Sequence, residues 1–338
     1  MIRARAPMRI DLAGGWTDVP AYASKHGGAV VNVAISLHAH AIVRRGGRGV
    51  RLRALDLGSV VSAQRIEDLR ADGELALVKA VARSRAPDDG GGIEIITRND
   101  APPGSGLGGS AALGVALVAA MDLLRGERRM AAEVAGTAFT IETEEAGIVG
   151  GSQDQYAAAI GGFQALSFGD QPAVASQRPS VSATTIRELE QHLVLCYTGA
   201  TRFSADTHHQ VWGAFGRGDA AVVSALDGLR GCAMDMRSAL ERGDIGAVGG
   251  VLNENWRLQQ LLADGMRTPV MEKLERVAVE AGADGVKACG AGAGGCLVFL
   301  ARAGRDQDVA EALRGAGGQV LRFTFDMNGV AAWESLER

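Results

Sequence analysis

The chain has 338 residues, with 35 Lys and Arg against 39 Asp and Glu, and 47% of its residues are hydrophobic. This length predicts two domains with a sizeable core, and the hydrophobic share excludes intrinsic disorder. The net charge of -4 argues against non-specific binding to nucleic acid, which needs a concentrated basic surface. The 47 glycines are about twice the usual share and indicate many tight turns or close backbone approaches to a ligand.

The four cysteines form no C-x-x-C pair, which favours buried, reduced thiols over a disulfide framework or a zinc site. The N-terminal segment lacks the apolar run of a signal peptide. The longest apolar run, 111–121, ends at Asp122, short of the ~20 residues that a membrane span needs. We therefore expect a cytoplasmic protein, a monomer or homodimer, that binds neither nucleic acid nor a membrane.

The first half of the sequence alternates predicted strands and helices, identified by hydrophobic periodicity. Strands are predicted at 2–5, 9–12, 29–43 (a strand or a hairpin), 50–55, 92–97 and 162–168. Helices are predicted at 74–85, after the loop at 102–110, and at 131–146 and 152–160. The polar segment 169–185 contains two prolines, so we predict a boundary there between a domain at 1–180 and one at 181–338.

The second half is predicted to be richer in helix. Helices are expected at 206–215, 220–241, 245–262, 269–281 and 306–314, and strands at 193–197 and 319–325. Between them, the segment KACGAGAGGCLVFLA at 287–301 predicts a glycine-rich turn that leads into an apolar strand.

The loop at 102–110 has four glycines within six positions. Glycine lacks the Cβ that keeps backbone amides away from a ligand, and the helix that follows offers unpaired N–H groups and a positive dipole end. This combination predicts a phosphate-binding site. The alternative is an ordinary strand-to-helix turn in which Ser110 caps the helix; its hydroxyl is also placed to face a metal ion or a phosphate.

The sequence gives only weak support to a dinucleotide site at this loop, and it excludes a standard P-loop. The spacing G-x-G-x-x-G occurs at 104–109, but two prolines precede it. The dinucleotide fingerprint also requires an acidic residue at the end of the next strand, and this sequence has none there. No G-x-x-x-x-G-K-[ST] sequence occurs in the chain, which excludes the standard P-loop.

Two further segments decide the interpretation. PMRIDLAGGWTD at 7–18, the loop at 102–110 and KACGAGAGG at 287–295 resemble, in this order, the three motifs of the GHMP kinase superfamily. The resemblance implies a two-domain α+β fold with a ribosomal-protein-S5-like N-terminal domain, a ferredoxin-like C-terminal domain and the active site between them. It further implies direct phosphoryl transfer from MgATP to a sugar or sugar phosphate hydroxyl.

The middle motif of the superfamily wraps the ATP phosphates. The resemblance therefore implies ATP contacts along one segment: Pro103, Gly104, Ser105, Gly106, Leu107, Gly108, Gly109, Ser110 and Ala111. Gly109 stands where many members have serine. Ser110 and Glu142 are the implied Mg²⁺ ligands, Glu142 lying about a dozen residues before the implied catalytic aspartate; Glu144 and Glu145 are alternatives, and all three suit a solvated acidic helix end equally well.

The implied catalytic pair is Asp154 and Arg9. Asp154 lies in GGSQDQY at 150–156, where a carboxylate can accept or orient the proton of the attacking hydroxyl. Arg9 would keep it ionised and neutralise charge on the transferred group. The alternatives are an acid that stabilises a helix N-terminus and an arginine on the wet face of a strand.

Substrate contacts are expected from several segments. Asp18 can accept two hydrogen bonds from sugar hydroxyls, and Trp16 either stacks on a sugar face or packs in the core. The full implied set is Trp16, Thr17, Asp18, Gly151, Gln155, Arg202 and Gly292. Arg202 is placed to meet a sugar phosphate, and the alternative cations are Lys25, His26 and Arg267; each of them also suits a solvated surface charge. His208 and His209 show no metal-ligand spacing, and we expect them to be structural or surface residues.

Within the superfamily, the segments at 13–22, 26–35, 150–163 and 197–205 are most similar to heptose-phosphate and fucose kinases, both of which phosphorylate the anomeric hydroxyl. This similarity implies D-glycero-D-manno-heptose 7-phosphate as substrate and its 1,7-bisphosphate as product, with L-fucose or another monosaccharide as alternative. A non-catalytic sensor of sugar and ATP, and a dinucleotide-dependent oxidoreductase, are the alternatives of other classes.

Overall fold

The computed structural model describes residues 1–87, 91–169, 174–200 and 204–336. Twelve strands are described, in chain order β1 Ile2–Ala13, β2 Gly28–Arg45, β3 Val50–Ala54, β4 Ser59–Ala63, β5 Ile93–Asn99, β6 Phe163–Phe168, β7 Val174–Gln177, β8 Leu193–Tyr197, β9 Ala283–Ala288, β10 Cys296–Ala301, β11 Gln319–Leu321 and β12 Ala331–Glu334.

Eleven α-helices are described among the same residues: α1 Pro20–His26, α2 Ala76–Arg85, α3 Gly109–Leu124, α4 Ala131–Thr140, α5 Gln153–Ile160, α6 Ala183–His192, α7 Ser204–Gly216, α8 Ala220–Arg242, α9 Ile245–Gln259, α10 Pro269–Ala281 and α11 Asp306–Gly315. A 3₁₀ turn at Ile66–Asp68 and a π-helical turn at Ile141–Glu145 complete them. No helix within the described ranges is long and apolar enough to cross a membrane.

The strands form two sheets. The larger has eight strands in the order β12-β1-β2-β5-β3-β4, with β6 and β7 continuing from the first part of β2. The smaller has four strands in the order β11-β8-β10-β9, all antiparallel. In the larger sheet, β3 and β5 pair in parallel and the other pairs are antiparallel, which gives a mixed sheet with helices packed against it.

The central strands β1 and β2 are longer than predicted. β1 is one strand of 12 residues, with a register shift between Pro7 and Met8, because proline donates no ladder hydrogen bond and is accommodated at a bulge. β2 is one strand of 18 residues. Its first part pairs with β6 and its second part with β5, so a single strand, and not a hairpin, spans the sheet.

Helix α3 packs on the sheet with most of its surface buried. Its apolar side chains Val115, Leu117, Val118 and Met121 are fully covered, as expected for a helix that is hydrophobic all round. The helix begins at Gly109, directly after the glycine-rich loop. Packing of α3 in the core therefore fixes the position of that loop.

Several elements depart from the sequence prediction. Helix α1 and strands β4, β9 and β12 were not predicted, and the polar segment 169–185 contains β7 and the first turn of α6. The helix expected at 131–146 ends at Thr140 and continues as the π-helical turn. Strand β12 pairs with β1, so the C-terminal end of the chain joins the larger sheet. The boundary near residue 180 stays a prediction.

Candidate active site

The three predicted motifs meet around a cavity of about 330 Å³. Its wall includes residues of β1, the loop before α3, the segment from the π-helical turn to α5, and the turn after β9. Met8 and Arg9 lie on one side, Ser110 and Glu142 on another, and Gly290 closes a third. Segments separated by up to about 280 positions in sequence thus line one site.

Arg9 and Asp154 form a bidentate ion pair in this cavity. The Arg9 Nε donates to Asp154 Oδ1 at 2.7 Å and Nη2 donates to Oδ2 at 2.9 Å. Nη1 also donates to the carbonyl oxygens of Gly106 at 2.7 Å and Cys289 at 3.0 Å. The Arg9 side chain is 6% exposed and that of Asp154 is 23% exposed. The Arg9 guanidinium of the first motif therefore links the Asp154 carboxylate to the middle and third motifs.

The glycine-rich loop approaches both partners closely. Gly108 has φ +73° and lies directly before α3; a Cβ there would stand 3.0 Å from Asp154 Oδ2. Gly106 has φ +73° and packs against Gly290, whose own Cβ would lie 2.7 Å from the Gly106 Cα. Glycine is required at these positions because a side chain would separate the loop from Asp154 and from the turn after β9.

Ser110 and Glu142 meet at the start of α3. The Ser110 Oγ donates to Glu142 Oε1 at 2.6 Å, and Gln155 Nε2 donates to Glu142 Oε2 at 2.5 Å. Burial raises the pKa of Glu142 and the nearby Asp154 raises it further, while the two hydrogen bonds oppose the shift. Glu142 belongs to the π-helical turn, a distortion that is frequent at functional sites.

Asp18 lies in the same cavity and is 5% exposed. Its Oδ2 accepts a hydrogen bond from the Gln153 backbone N–H at 3.1 Å. Burial, with the charges of Asp154 and Asp11, raises the pKa of Asp18 to about 7. A Cβ at Gly151 would lie 1.9 Å from Asp18 Oδ2, so that position also needs glycine. The site can therefore bind a polar ligand through the Asp18 carboxyl group, which changes its ionisation near pH 7.

Two protein-family models match this chain: the GHMP kinases N terminal domain at residues 75–162 and the GHMP kinases C terminal domain at residues 236–319. The D-glycero-alpha-D-manno-heptose 7-phosphate kinase of Campylobacter jejuni is 33% identical over 98% of this chain and 98% of its own. The chain belongs to the GHMP kinases. The expected α+β fold of the superfamily and the expected class, an ATP-dependent phosphotransferase with an alcohol acceptor, are thereby confirmed.

Two further GHMP kinases illustrate the range of relatives. The L-fucokinase/L-fucose-1-P guanylyltransferase of Bacteroides fragilis is 27% identical over 89% of this chain, which spans 35% of that protein. A crystal structure of a D-glycero-D-manno-heptose 1-phosphate kinase from Bacteroides thetaiotaomicron superposes with a TM-score of 0.82 at 28% identity, covering 100% of both chains.

The residues at the start of α3 fit the Mg²⁺ expected of a GHMP kinase. Mg²⁺ prefers oxygen ligands and is usually held by one or two carboxylates together with substrate phosphates and waters. Glu142 supplies a buried carboxylate and Ser110 a hydroxyl beside it. Glu144 and Glu145, the alternatives from sequence, are exposed. No group of three or more His, Cys, Asp or Glu that could hold a metal occurs in the described part of the chain.

We expect Glu142→Gln to raise the Mg²⁺ concentration needed for half-maximal activity by about 10-fold or more, because an amide is a weaker ligand than a carboxylate. The amide retains the shape of the side chain. The measurement is initial rate against Mg²⁺ at fixed ATP. Glu144→Gln, two residues away and exposed, is the matched control; an effect as large in the control as in Glu142→Gln would contradict the assignment.

The other predicted ATP and substrate contacts divide into two groups. The first group lines the cavity and consists of Pro103, Gly104, Ser105, Gly109, Ala111, Trp16 and Gln155. The second group lies behind the cavity wall. Leu107 is fully buried, and its carbonyl accepts from the Arg9 backbone N–H at 3.0 Å. Thr17 is also fully buried, and its hydroxyl donates to the carbonyl oxygen of Gly14 at 2.7 Å. Thr17 thus holds the first-motif turn from behind the cavity.

One predicted substrate contact, Gly292, does not line the cavity. Gly292 has φ +88° and its missing Cβ would lie 2.8 Å from the Met266 sulfur, so it packs in the third-motif turn. Arg202 lies outside the described residues. Conversely, His208, which we expected to be a structural or surface residue, lines the cavity.

Sequence reasoning also missed an ion pair behind the site. Lys287 is fully buried, and its Nζ donates to Asp11 Oδ2 at 2.8 Å, to the Asp11 carbonyl at 3.1 Å and to the Ala288 carbonyl at 2.9 Å. Asn255 Oδ1 accepts from the Gly14 backbone N–H at 2.9 Å. These contacts join β9 and α9 to the first motif. The sequence neighbourhoods of Lys287 and Asn255 do not identify their partners, because these partners are 276 and 241 positions away.

Proposed function

We propose that this chain transfers the γ-phosphoryl group of ATP to the anomeric C1 hydroxyl of D-glycero-D-manno-heptose 7-phosphate, giving the 1,7-bisphosphate. The observation that carries the proposal is the bidentate Arg9–Asp154 pair facing the glycine-rich loop across one cavity. The choice of sugar is supported by the C. jejuni relative, which matches over 98% of both chains.

The loop and α3 are suited to hold the triphosphate. The first turn of a helix presents backbone N–H groups without intrahelical partners and the positive end of the helix dipole. Here that turn begins at Gly109, with Ser110 next to it, and Gly104, Gly106 and Gly108 allow close approach of the chain to an anion. These groups position ATP and stabilise charge on its phosphates.

Mg²⁺ bound by Ser110 and Glu142 would neutralise charge on the phosphate oxygens. Asp154 then acts on the nucleophile. One carboxylate oxygen accepts a hydrogen bond from the C1 hydroxyl, orients its oxygen toward the γ-phosphorus and takes the proton as the new O–P bond forms. The bond between the γ-phosphorus and the bridging oxygen of the β-phosphate breaks, and ADP leaves. In phosphoryl transfer, catalysis rests mainly on such positioning and on electrostatic stabilisation.

Arg9 serves the nucleophile and the transferred group together. Its guanidinium donates to both Asp154 carboxylate oxygens, at 2.7 and 2.9 Å, and so fixes the orientation of that carboxylate. A fixed positive charge beside the reacting oxygen also stabilises the negative charge that accumulates in the transition state. The Asp11–Lys287 pair behind the first motif holds the strand that carries Arg9.

L-Fucose or another unphosphorylated monosaccharide is the second candidate. Among the described residues that line the cavity, Arg9 is the sole lysine or arginine, and Asp154 already engages it. A 7-phosphate therefore needs a cation from elsewhere, for which Arg202 is our candidate. The cation-poor wall is the observation that favours a neutral sugar. A non-catalytic sensor is disfavoured because Arg9, Ser110, Glu142 and Asp154 are all present and in contact as pairs.

The deciding experiment is a MgATP phosphoryl-transfer assay over D-glycero-D-manno-heptose 7-phosphate, D-sedoheptulose 7-phosphate, L-fucose, galactose and mannose, with ³¹P NMR of the products. We expect a new anomeric phosphate on the heptose 7-phosphate and at most slow turnover of the others. An anomeric phosphate on fucose alone would select the second candidate. ATP binding without turnover of any sugar would favour the sensor.

We further propose that the enzyme works in a reducing compartment such as the cytoplasm. Its four cysteines are free and buried, and burial raises the pKa of the Cys289 thiol to about 12 and that of Cys232 to about 11, which keeps both unreactive. For the oligomeric state we propose a monomer or a homodimer.

A further inference from the structure

An aromatic cluster on α7 forms one end of the cavity. Trp16 is 6% exposed and lines the cavity, as does His208; their ring centroids are 4.6 Å apart. Trp212 lies one helical turn beyond His208, with its ring centroid 5.9 Å from that of Trp16. The first-motif turn and α7 therefore meet through three rings, two of which face the site.

Trp16 has two features that its packing leaves unexplained. Its φ is +79°, a left-handed conformation that is rare and strained for a bulky residue, and such strain concentrates at ligand sites. Its indole Nε1 is buried without a hydrogen-bond partner among the described residues. A buried donor left unpaired costs free energy, so both features are unfavourable for the ligand-free fold and mark Trp16 as a candidate binding residue.

The hydrogen bond from Trp212 fixes the protonation of His208. The Trp212 Nε1 donates to His208 Nδ1 at 3.2 Å. Because an indole N–H only donates, Nδ1 must be the acceptor, and the neutral ring then carries its proton on Nε2. Burial, with the neighbouring His209, lowers the pKa of His208. His208 thus presents a neutral N–H donor, which suits an uncharged hydroxyl better than a phosphate.

We propose that His208 is a specificity-determining residue that donates a hydrogen bond from Nε2 to a hydroxyl oxygen of the sugar substrate, with Trp16 covering the adjacent apolar face of the sugar ring. The inference rests on the proposed function, since it assigns the sugar end of the same cavity. It complements Asp18, which accepts from sugar hydroxyls, with a donor on the α7 side.

The test uses His208→Leu, which removes the donor, and His208→Gln, whose amide nitrogen restores a donor at a similar distance from the backbone. We expect the leucine variant to raise the sugar KM by about 10-fold with the ATP KM within about 2-fold, and the glutamine variant to recover most of the loss. His209→Leu, an exposed neighbour, is the matched control and should match the wild type.

A series of monodeoxy sugars provides a second, independent reading. One deoxy analogue should bind the wild type more weakly than the parent sugar does. His208→Leu should bind that analogue and the parent sugar equally well, because the hydrogen bond is already absent in this variant. An unchanged sugar KM in His208→Leu, or an equal rise in the ATP KM, overturns the inference while leaving the proposed kinase intact. A wild type that phosphorylates none of the sugars overturns the proposed function and this inference with it.

Discussion

Asp154→Ala is expected to lower kcat for sugar phosphorylation by about 10³-fold, the middle of the range for loss of a positioned acid or base. The ATP dissociation constant should stay within about 3-fold of the wild type. The reason is the division of roles that we propose: Asp154, paired with Arg9, acts on the sugar hydroxyl, whereas the phosphates are assigned to the loop before α3. Steady-state kinetics and ATP binding by calorimetry provide the two measurements.

Stability must be measured alongside, because Asp154→Ala leaves Arg9 without its anionic partner. Removing one member of a buried ion pair costs about 3 kcal/mol or more; the 23% exposure of the Asp154 side chain reduces that cost. Asp154→Asn is the matched variant, since its amide oxygen can still accept from Arg9. Both variants should lose turnover, and the asparagine variant should unfold nearer to the wild type. Equal loss of ATP binding and turnover in both would show that Asp154 belongs to the nucleotide site.

The local parts of the site were predictable from sequence because their physics is local. Four glycines before an apolar helix specify a turn that admits an anion, and the structure has that turn directly before α3. The pairing of Arg9 with Asp154 spans 145 positions, and neither residue's neighbourhood specifies the other. Their proximity could be expected only from the three-motif resemblance.

The remaining elements depended on tertiary contacts. Strand β9 was missed because Asp284 and Gly285 interrupt its apolar pattern; pairing with β10 and cover from α9 outweigh these weak local preferences. Lys287 gave no signal of its ion pair, since Asp11 is 276 positions away. His208 was expected to be a structural or surface residue for the same reason: helical spacing cannot reveal that its ring lies next to Trp16 of the first motif.

The acidic side chains that line the cavity are expected to lower the stability of the folded protein. Asp18, Asp154 and Glu142 lie in one cavity whose described lining includes a single arginine, and burial and neighbouring carboxylates raise the pKa of Asp18 to about 7. A folded-state pKa above the unfolded value means that the folded protein binds the extra proton. Stability therefore falls as pH rises from about 4, the unfolded pKa, to about 7.

Asp18→Asn should consequently stabilise the ligand-free protein while impairing sugar binding. The amide keeps an oxygen for the Gln153 N–H but carries no charge to desolvate, so the gain in unfolding free energy should be near zero at pH 4 and reach roughly 2–4 kcal/mol above pH 7. Denaturant unfolding at pH 5 and pH 8 gives the comparison within one variant. A gain that is the same at both pH values would contradict the raised pKa.

Sugar kinetics should respond to pH, and to Asp18→Asn, in the direction opposite to stability. Only the ionised carboxylate accepts hydrogen bonds with both oxygens, so wild-type kcat/KM for the sugar should rise as pH increases through about 7. Asp18→Asn should lose that rise and show a sugar KM at least about 10-fold higher at pH 8, with the ATP KM little changed. A variant that gains stability and keeps wild-type sugar affinity would place the substrate hydroxyls elsewhere in the cavity. If Asp18→Asn instead lost both stability and sugar affinity, Asp18 would be a structural anchor for the Gln153 turn. Only a gain in stability together with a loss of sugar affinity identifies Asp18 as a ligand-binding group that destabilises the fold.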